Sequence, residues 1–557
     1  MTVNYFSPKI EDKRLKFWQQ FLSNMLIDIR QQFKAGPKPF REASNQVLEA
    51  IISSLIINLE PILLPTVVSY LYSPKNISID SSSKYTSLFN GDYEKTFSIL
   101  EEFHSPTIRV LFNRCRRFRS HFFLACQRIF EDWELIQANF NIKNNSELYA
   151  VRLTCGDEHN QGAQTSIFTF DKGVKGFVYK PVDVSIDLLM HNIFAYYENN
   201  FQEGFTPILK VIPRSENTAE RYGYVELCPY VGNINNKSEV QKIYEELGKL
   251  LAFGKVFKIA DGHSDNIIIN TPRAVWLDLE TAFHSFSSEI CGVHSLERTG
   301  LLVEAKEENT MFGIVTAIQG GVIPRLNLTR PTPYNDGKDN MYIRYFCLID
   351  VKENKNRIYL NGKLCLPEDY SADIKKGYSN TLTKLIDNKE KLLSFIEFTL
   401  KEQELRTRHL LLATACYARY IGLTNHIVSN IRGDYLANIT SERKQTIMSD
   451  QKPYQDFIIE NEISDICNGV IPYFYRSSQS NSLYHISGAY RENVFQENVF
   501  DSISKEIINL SKNELNEDLN FIDRALRSTS NIFTWDDFRT RFNFPLFDYE
   551  AHAKNFQ

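Results

Sequence analysis

One stretch of this 557-residue chain, residues 261–280, limits the fold more than any other. Two short apolar runs, at 267–269 and 274–277, are separated by a turn and flanked by polar residues. Apolar runs of this length on either side of a turn predict a β-hairpin. Asn266 precedes the first run and Asp278 follows the second. The hairpin would therefore hold these two side chains close together at one of its ends.

The polar residues around this hairpin are of the types that phosphoryl transfer uses. A carboxylate and an amide oxygen, from Asp278 and Asn266, suit a hard divalent cation whose other ligands are substrate phosphates. Asp261 lies five residues before Asn266, with His263 between them, and can accept the proton of an attacking hydroxyl group. The alternative is a polar loop between buried strands, because Asp and Asn are common turn formers. We favour the phosphoryl-transfer site, because a carboxylate that closes an apolar strand is costly without a partner.

Length and composition set the outer limits of the interpretation. A chain that is 43% apolar and 24% charged is an ordinary globular protein, and 557 residues predict two or three domains or one large domain with insertions. The net charge of -5 shows no excess of positive charge of the kind that nucleic-acid binding requires. None of the nine cysteines forms a CxxC pair or adjoins a histidine. This predicts reduced thiols and no zinc framework.

Neither a signal peptide nor a membrane span is predicted. The N-terminus lacks a basic region followed by an apolar one. The most apolar window, residues 47–72, is interrupted by Glu49, Glu60, Pro61 and Pro65. We interpret it as a buried helix followed by a turn, and we expect a cytoplasmic protein.

A change of pattern near residue 148 marks a group of predicted strands. They are expected at 148–154, 166–170 and 176–180. The loop after the first strand has Gly156 and Gly162 at its ends, and glycine lets a backbone come close to nucleotide phosphates. Lys180, at the end of the third strand, can reach the phosphates as a point charge.

The segments between Lys180 and the hairpin are predicted to form a helix and a strand. A helix predicted over 185–199 would supply an acidic partner for Lys180, with Asp187 and Glu198 both open as candidates. Residues 222–230 predict a strand that ends in a linker, where backbone groups would contact adenine, and Glu226 of this segment is a predicted cofactor-binding residue. Glycine loop, lysine, Asp261 and Asp278 follow one another in the order found in protein-kinase-like and lipid-kinase-like folds.

We therefore predict an α+β protein with a two-lobed, lipid-kinase-like or protein-kinase-like core and large helical additions at both termini. The predicted divisions are a helical N-terminal region (1–145), a small lobe (146–235), a catalytic loop and metal-binding segment (236–300), an insertion and activation region (301–400) and a helical C-terminal part (401–557). A helix over 378–407 and several helices beyond 414 are expected. The basic run at 114–119 is interpreted as a solvated helix face rather than a peptide or phosphate site.

Short motifs that run in order across most of the chain point to a family. They are Gly-Asp-x-His at 156–159, Val-Tyr-Lys-Pro at 178–181, Asp-x-His-x-x-Asn at 261–266, Leu-Asp-Leu-Glu-Thr at 277–281, His-Ser-Leu-Glu-Arg-Thr-Gly-Leu-Leu at 294–302, Arg408 with Thr414 and Tyr417, and Gly-Val-Ile-Pro-Tyr-Phe at 469–474. Together they make the chain resemble the dehydratase part of the class II lanthipeptide synthetases, the LanM family.

The resemblance implies a two-step activity on a lipid-kinase-like core with extra helical elements. LanM enzymes phosphorylate Ser and Thr of a precursor peptide that carries a leader, and then eliminate the phosphate to leave dehydroalanine and dehydrobutyrine. ATP with Mg²⁺ would serve the first step, and the ADP-bound enzyme would serve the second. The resemblance assigns Lys180, Asp261, His263, Asn266 and Asp278 to phosphorylation, and Asp157, His159, Arg408 and Thr414 to elimination.

The second set of residues has a chemical rationale. A departing phosphate gains charge in the transition state, and a cation stabilises that charge. Arg408 can bind two phosphate oxygens, and Thr414 can donate a further hydrogen bond. Asp157 and His159, on the loop over the phosphates, could assist proton transfer. Without the resemblance, Arg408 would be interpreted as a surface ion pair with a nearby glutamate, Glu402 or Glu404, and Thr414 as a buried hydroxyl bonded to backbone.

Three departures from the family pattern affect the expected activity. Leu412 stands where the family often has a second arginine, and Val470 stands where it has aspartate; both bear on elimination. The chain ends at Gln557 without the Cys and Cys-His ligand set of a LanM cyclase. We therefore expect no ring formation by this chain, and any cyclisation would need a separate cyclase as partner.

The leading hypothesis is an ATP- and Mg²⁺-dependent Ser/Thr dehydratase of a ribosomally made precursor peptide, without cyclase activity. One alternative is a peptide Ser/Thr kinase that leaves the phosphate in place, which Leu412 favours. The other is a non-catalytic partner that binds peptide on a kinase fold. The presence of Lys180, Asp261, Asn266 and Asp278 argues against it.

Overall fold

The computed structural model describes most of the chain. The described residues are 10–73, 83–153, 158–159, 162–201, 208–215, 220–285, 293–305, 316–320, 325–327, 332–344, 347–349, 354–402, 404–424 and 432–530. Gly156 and Asp157, both predicted site residues, lie outside the described residues.

Helices dominate both ends of the described chain. They are α1 (Asp12–Phe21), α2 (Ser23–Lys34), α3 (Lys38–Arg41), α4 (Asn45–Tyr72), α5 (Lys84–Leu88), α6 (Tyr93–Glu131), α7 (Trp133–Phe140), α8 (Ser185–Phe201), α9 (Lys237–Val256), α10 (Ser371–Asp387), α11 (Lys389–Glu402), α12 (Thr414–Thr424), α13 (Arg432–Thr446), α14 (Gln455–Asn468), α15 (Val499–Asn509) and α16 (Leu515–Ser530). The described residues of the predicted N-terminal helical region form helices α1 to α7.

Strands occupy the middle of the chain and a short part near residue 480. They are β1 (Leu148–Arg152), β2 (Ser166–Phe170), β3 (Lys175–Lys180), β4 (Val211–Ser215), β5 (Arg221–Glu226), β6 (Asn233–Ile234), β7 (Ile267–Asn270), β8 (Arg273–Trp276), β9 (Arg325–Asn327), β10 (Thr332–Tyr334), β11 (Tyr342–Arg344), β12 (Cys347–Ile349), β13 (Tyr359–Leu360), β14 (Lys363–Leu364), β15 (Arg406–Arg408), β16 (Phe474–Ser477), β17 (Leu483–His485) and β18 (Tyr490–Arg491). The fold is α+β, as predicted.

Helix α4 departs from the prediction for the apolar window. It continues through Pro61 and Pro65 without the predicted turn. An interior proline costs about 3 kcal/mol, but fifteen side chains of α4 are buried, and each large apolar one contributes about 1.5–3 kcal/mol. Burial therefore outweighs both prolines. By length and composition α4 could also cross a membrane, although 56% of its most apolar window is buried inside the protein.

The five-stranded sheet has the order β1-β2-β3-β5-β4, and every neighbouring pair is antiparallel. Successive side chains of a strand point to opposite faces. Phe177 and Tyr179 of β3 pack into the core formed with the N-terminal helices. Val178 faces the other way and packs against Ile268 and Val275 of the hairpin β7–β8. Lys180 shares the face of Val178, which directs it toward the hairpin.

A second core holds the helices below the hairpin. Helices α9 and α10 cross so closely that a Cβ on Gly248 would lie 2.0 Å from the carbonyl oxygen of Ile374. A Cβ on Gly377 would likewise lie 1.9 Å from the carbonyl oxygen of Glu245. Only glycine permits this backbone approach, so the two glycines set the distance between the helices.

The C-terminal part differs from the prediction in two respects. The helix predicted over 378–407 is two helices, α10 and α11, followed by strand β15. Strands β15 to β18 form a four-stranded antiparallel sheet in chain order, where only helices were predicted. These strands are two to four residues long, too short for an alternating pattern to stand out.

Candidate functional site

Lys180 lies at the centre of a group of charged side chains between the sheet and the hairpin. Its ammonium group donates hydrogen bonds to Oδ1 of Asp187 at 3.1 Å and to Oδ1 of Asp278 at 3.0 Å. Lys180 and Asp187 are buried, whereas the Asp278 side chain is 34% exposed. We call these three residues the lysine cluster. Asp278 is its member that reaches solvent.

Lys180 attracts both carboxylates of the lysine cluster, although burial raises the pKa of Asp187. Burial alone would lower the pKa of Lys180, but the carboxylates of Asp187 and Asp278 outweigh burial and raise that pKa above its ordinary value. Burial would raise the pKa of Asp278, but Lys180, with help from Arg408, holds it below the ordinary value. At neutral pH, Lys180 is therefore positively charged and Asp278 is negatively charged.

The acidic partner of Lys180 on helix α8 is Asp187 rather than Glu198. Asp187 lies in the first turn of α8, and its Oδ1 also accepts the backbone N–H of Leu279 at 3.2 Å. Glu198 lies eleven residues farther along the helix, which is about 16 Å. Asp187 thus connects α8, Lys180 and the segment that follows the hairpin.

The hairpin has the predicted geometry, and it brings Asn266 next to the segment that carries Asp278. Ile267 pairs with Trp276, and the N–H of Leu277 donates to the carbonyl oxygen of Asn266 at 2.8 Å. The side-chain Nδ2 of Asn266 donates to the carbonyl oxygen of Asp261 at 2.9 Å. Two of the residues predicted to act together, Asn266 and Asp261, are therefore in direct contact.

Asp261 is held in an unusual backbone conformation. Its φ of 65° lies in the left-handed region, which costs a non-glycine residue free energy and is frequent at functional sites. The next residue, Gly262, donates its N–H to the carbonyl oxygen of Thr299 at 2.8 Å and accepts from the N–H of Ala317 at 3.0 Å. A Cβ on Gly262 would lie 2.5 Å from that Thr299 oxygen, so this tight packing requires glycine.

His263 is a partly exposed residue of the same loop. Its Nε2 is 3.7 Å from Oδ1 of Asp261, and its Nδ1 accepts the backbone N–H of Asp265 at 3.2 Å. Because Nδ1 is an acceptor there, a neutral ring carries its proton on Nε2, the nitrogen directed at Asp261.

A second group of residues surrounds Glu280, two positions after Asp278. Nη1 of Arg408 donates to Oε1 of Glu280 at 2.6 Å, and the hydroxyl of Tyr473 donates to Oε2 at 3.2 Å. The Arg408 guanidinium lies 5.2 Å from the centre of the Tyr473 ring, and His159 meets the same ring edge-on at 5.1 Å. We call Arg408, Glu280, Tyr473 and His159 the arginine cluster. All four are buried.

The two clusters are joined through the chain between Asp278 and Glu280. The N–H of Glu280 donates to Oδ1 of Asp278 at 3.4 Å, and the N–H of Arg408 donates to the carbonyl oxygen of Glu280 at 2.7 Å. Burial, followed by the charge of Asp278, raises the pKa of Glu280 to about 7, although Arg408 opposes the shift. A carboxyl group with this pKa can take up or release a proton near neutral pH.

Glu280 was missed as a site residue, although it belongs to the Leu-Asp-Leu-Glu-Thr motif. Glu280 follows Asp278 by only two residues, and this closeness to a predicted metal ligand could have identified it as a site residue. The alternative interpretation of Arg408 as a surface residue, paired with Glu402 or Glu404, does not agree with its burial or with its pairing to Glu280. Glu404 instead pairs with Arg221.

His159 is fixed by the segment that precedes Tyr473. Its Nδ1 lies 2.9 Å from the carbonyl oxygen of Ile471, a contact that requires the proton on Nδ1 and leaves Nε2 as the acceptor. Burial, together with the charge of Arg408, lowers the pKa of His159 to about 3. The ring is therefore neutral at physiological pH.

His159, Gly162 and Ala163 lie close together at the end of the glycine loop. His159 and Ala163 pair as an isolated bridge, and the N–H of Gly162 donates to the carbonyl oxygen of His159 at 2.8 Å. Gly162 has a φ of 104°, which only glycine adopts readily. The backbone N–H of Ile471 donates to the carbonyl oxygen of Glu158 at 2.8 Å, so the loop is attached to the C-terminal part.

The basic run at 114–119 is not simply a solvated helix face. Arg114 and Arg117 pair with Glu158 at 2.7 Å and 3.5 Å, and both side chains are partly buried. Arg119 pairs with Asp28 at 2.9 Å. Two of these arginines therefore hold the residue next to His159 in place.

Two further predicted residues, Glu226 and Thr414, belong to other elements. Glu226 is at the end of β5, three pairs away from Lys180 along the sheet, which is about 10 Å, and its Oε2 accepts the N–H of Lys210 at 3.1 Å. Thr414 is the first residue of α12, whereas Arg408 ends β15. Arg408 and Thr414, two of the four predicted elimination residues, thus come from different elements.

The donor set around Asp278 fits a cation that depends on its substrate. In the described part of the chain, no group of three or more His, Cys, Asp or Glu side chains is arranged to hold a metal ion. One carboxylate and one amide, from Asp278 and Asn266, are too few for a cation held by protein alone. They match Mg²⁺, which usually takes one or two carboxylates and completes its shell with phosphates and water.

Comparisons with known proteins place most of the chain in one family. Residues 106–477 match the model of a domain of unknown function, DUF4135. The chain is also similar to the lacticin 481/lactococcin biosynthesis protein LcnDR2 of Lactococcus lactis subsp. lactis, at 24% identity over 470 residues. The matched region covers 80% of this chain and 49% of LcnDR2, so the chain spans about half the length of that relative.

Proposed function

We propose that this chain, which belongs to the DUF4135 family, modifies a precursor peptide, because it is similar to a lacticin 481/lactococcin biosynthesis protein. The proposed reaction is the dehydration of Ser and Thr, through ATP-dependent phosphorylation followed by elimination of phosphate. The kinase-like core and the lanthipeptide substrate class are part of this proposal.

One observation carries the proposal. The lysine cluster and the arginine cluster are adjacent, since Asp278 and Glu280 are two residues apart and the Glu280 N–H contacts the Asp278 carboxylate at 3.4 Å. The first cluster has the groups that phosphoryl transfer uses. The second has a buried arginine that suits a leaving phosphate. A single peptide hydroxyl could be phosphorylated at one cluster and lose its phosphate at the other with little movement.

In the first step, this chain would bind ATP phosphates and orient the peptide hydroxyl. Lys180, kept charged by Asp187 and Asp278, would neutralise phosphate charge. Asp261 would accept the hydroxyl proton as the oxygen attacks the γ-phosphorus, and ADP would leave. His263 would hold the Asp261 carboxylate in position through its Nε2 proton.

A magnesium ion would be held by Asp278 and Asn266. It would supply charge neutralisation for the phosphates. Asn266 has a second task that does not depend on the ion, because its Nδ2 bond to the Asp261 carbonyl oxygen at 2.9 Å supports the strained backbone of Asp261.

In the second step, the phosphate would leave Cβ of the modified residue while a base removes the Cα proton, and the carbon–carbon double bond would form. Arg408 would exchange its Glu280 partner for the phosphate and stabilise the departing charge. Thr414 would add a hydrogen bond to that phosphate. Two groups can take the proton, the Nε2 atom of neutral His159 and the Glu280 carboxylate, whose pKa of about 7 suits proton transfer at neutral pH.

A second candidate function is a peptide kinase that leaves its phosphate in place. Leu412 favours it, because this side chain packs against the apolar cluster that includes Tyr417 and Tyr420. A family arginine at this position would have supplied a further cation for the leaving phosphate. Elimination would then depend on Arg408 for its positive charge.

Mass spectrometry of the product tests the proposal. The full chain is incubated with ATP, Mg²⁺ and the precursor peptide encoded next to its gene. Loss of water at Ser or Thr supports dehydration. A gain of phosphate without loss of water supports the kinase. An unchanged peptide, together with no stabilisation by ATP and Mg²⁺ in a melting experiment, would exclude both and support the non-catalytic partner.

A further inference from the structure

The four-stranded sheet presents a straight row of side chains that begins at Arg408. Arg408 is directly opposite Tyr475 on β16, Tyr475 is opposite Tyr484 on β17, and Tyr484 is opposite Tyr490 on β18. Directly opposed residues of an antiparallel sheet share one face. With neighbouring strands about 4.8 Å apart, the row spans about 14 Å.

The tyrosine rings of this row form a continuous stack. The rings of Tyr475 and Tyr484 lie 5.2 Å apart at 13°, and those of Tyr484 and Tyr490 lie 5.6 Å apart at 27°. Exposure increases along the row, from buried Arg408 through half-buried Tyr475 and Tyr484 to Tyr490, which is 55% exposed. We call Tyr475, Tyr484 and Tyr490 the tyrosine row. It leads from the arginine cluster to the protein surface.

A cavity of about 410 Å³ lies beside the inner end of the row. Tyr473 and Tyr475 form part of its wall, and Gly162 and Ala163 of the glycine loop form another part. The exposed Ser487 and Gly488 lie at its rim. Tyr473 also donates its hydroxyl proton to Glu280, so the cavity and the arginine cluster share a wall. Its volume is in the range of ligand sites, about 300–1,000 Å³.

A peptide is the occupant that this shape fits. A Ser or Thr inside a peptide has chain on both sides, so the chain must leave the site along the protein surface. Aromatic rings provide broad contact area at low entropic cost, and their hydroxyl groups can bond a peptide backbone. A small molecule would fit the cavity but would not contact the outer end of the row at exposed Tyr490.

We infer that the tyrosine row and the adjoining cavity bind the precursor peptide in extended form, next to the Ser or Thr being modified. This inference rests on the proposed function for the identity of the peptide, and adds the surface on which it lies. The row acts on the peptide and not on ATP. Its loss therefore weakens peptide binding without changing nucleotide binding.

The test compares steady-state phosphorylation by the full chain and by two variants, Tyr484→Ala and Tyr490→Ala. Because Tyr490 is exposed, its truncation should leave the fold intact. The Tyr490 variant therefore keeps the test valid if the Tyr484 variant misfolds. Tyr149→Ala, an exposed tyrosine on β1, is the matched control. Truncation of an aromatic contact of this kind raises the peptide KM about tenfold, and we expect no change in the KM for ATP or in the control.

Direct binding separates this inference from the proposed function. The probe is the precursor peptide labelled with fluorescein, measured by anisotropy without ATP. Weaker binding by the Tyr484 and Tyr490 variants supports the row even if the wild-type chain leaves the peptide unmodified. Binding equal to that of Tyr149→Ala in an active enzyme would overturn the inference and leave the row as cross-strand packing. Equal increases in the KM for peptide and ATP would overturn it too.

Discussion

Nη1 of Arg408 lies 2.6 Å from Oε1 of Glu280, and both side chains are buried. Glu280 is two residues from Asp278, which pairs with Lys180 at 3.0 Å. A buried ion pair is costly to separate unless another charge takes the place of the lost partner. A phosphate on the peptide would be such a charge. Arg408 can therefore stay paired with Glu280 until the phosphate forms and replaces this partner.

The first prediction concerns this arginine. Arg408→Ala should trap phosphorylated peptide, because removal of one donor to a developing charge typically slows a reaction about 10²–10³-fold. Mass spectrometry of the product with time measures the two steps separately. Arg419→Ala is the control, since Arg419 is an exposed partner of Glu442. Full dehydration by Arg408→Ala at the wild-type rate would refute the assignment of Arg408 to elimination.

The second prediction concerns the partner of Lys180. Asp187→Asn should reduce phosphorylation, because Lys180 would lose a buried carboxylate at 3.1 Å and shift toward Asp278. The loss of one member of a buried pair also costs about 3–5 kcal/mol in the free energy of unfolding. Urea unfolding and the KM for ATP measure the two effects. Glu198→Gln is the matched control on the same helix, and an equal loss of activity in that variant would contradict the choice of Asp187.

The third prediction concerns pH. The pKa of Glu280 is raised to about 7 in the folded protein, whereas an unfolded glutamate titrates near pH 4.3. Between these values the folded state binds more protons than the unfolded state, so this group makes stability fall as the pH rises. The wild type should therefore lose more free energy of unfolding than Glu280→Gln between pH 5 and pH 8. Urea unfolding at both pH values gives the difference, and parallel losses in the two proteins would show that Glu280 does not titrate in this range.

The fourth prediction concerns the arginines that hold the glycine loop. Arg114→Ala should slow both steps severalfold, because Glu158 next to His159 loses a partner at 2.7 Å and a charge-assisted hydrogen bond of this kind contributes about 1.5–3 kcal/mol when both groups are partly buried. Arg116→Ala is the control, as this neighbouring arginine is exposed. The dehydration rate of each variant is measured at saturating ATP. Equal rates in the two variants would mean that the loop does not depend on Glu158.

Local patterns in the sequence were sufficient for the hairpin and for four strands of the five-stranded sheet, but they missed β4. Short apolar runs bounded by Asn, Pro and Gly predicted strands β2, β3, β7 and β8 within a residue or two, because turn residues and alternation act over short distances. The position of Asn266 and Asp278 at one end of the hairpin followed from that pattern.

Long-range packing decided the features that the patterns missed. Prolines in α4 predict a turn locally, but the burial of fifteen of its side chains keeps the helix continuous. Strands β15 to β18 are too short to be recognised alone, and they exist because each is paired by a neighbour. A segment of two to four residues has too little local preference to select its own structure.

By itself, the sequence determined which chemical groups are present and their order along the chain, from the glycine loop through Lys180 and Asp261 to Asp278 and Arg408. Only the tertiary structure decided the pairings among them. Asp187 rather than Glu198 meets Lys180, and Glu280 rather than Glu404 meets Arg408. The reason is physical, because an ion pair needs a separation of a few ångströms. When 128 residues separate the partners, as for Glu280 and Arg408, that separation is set by the packing of whole elements and not by any local pattern.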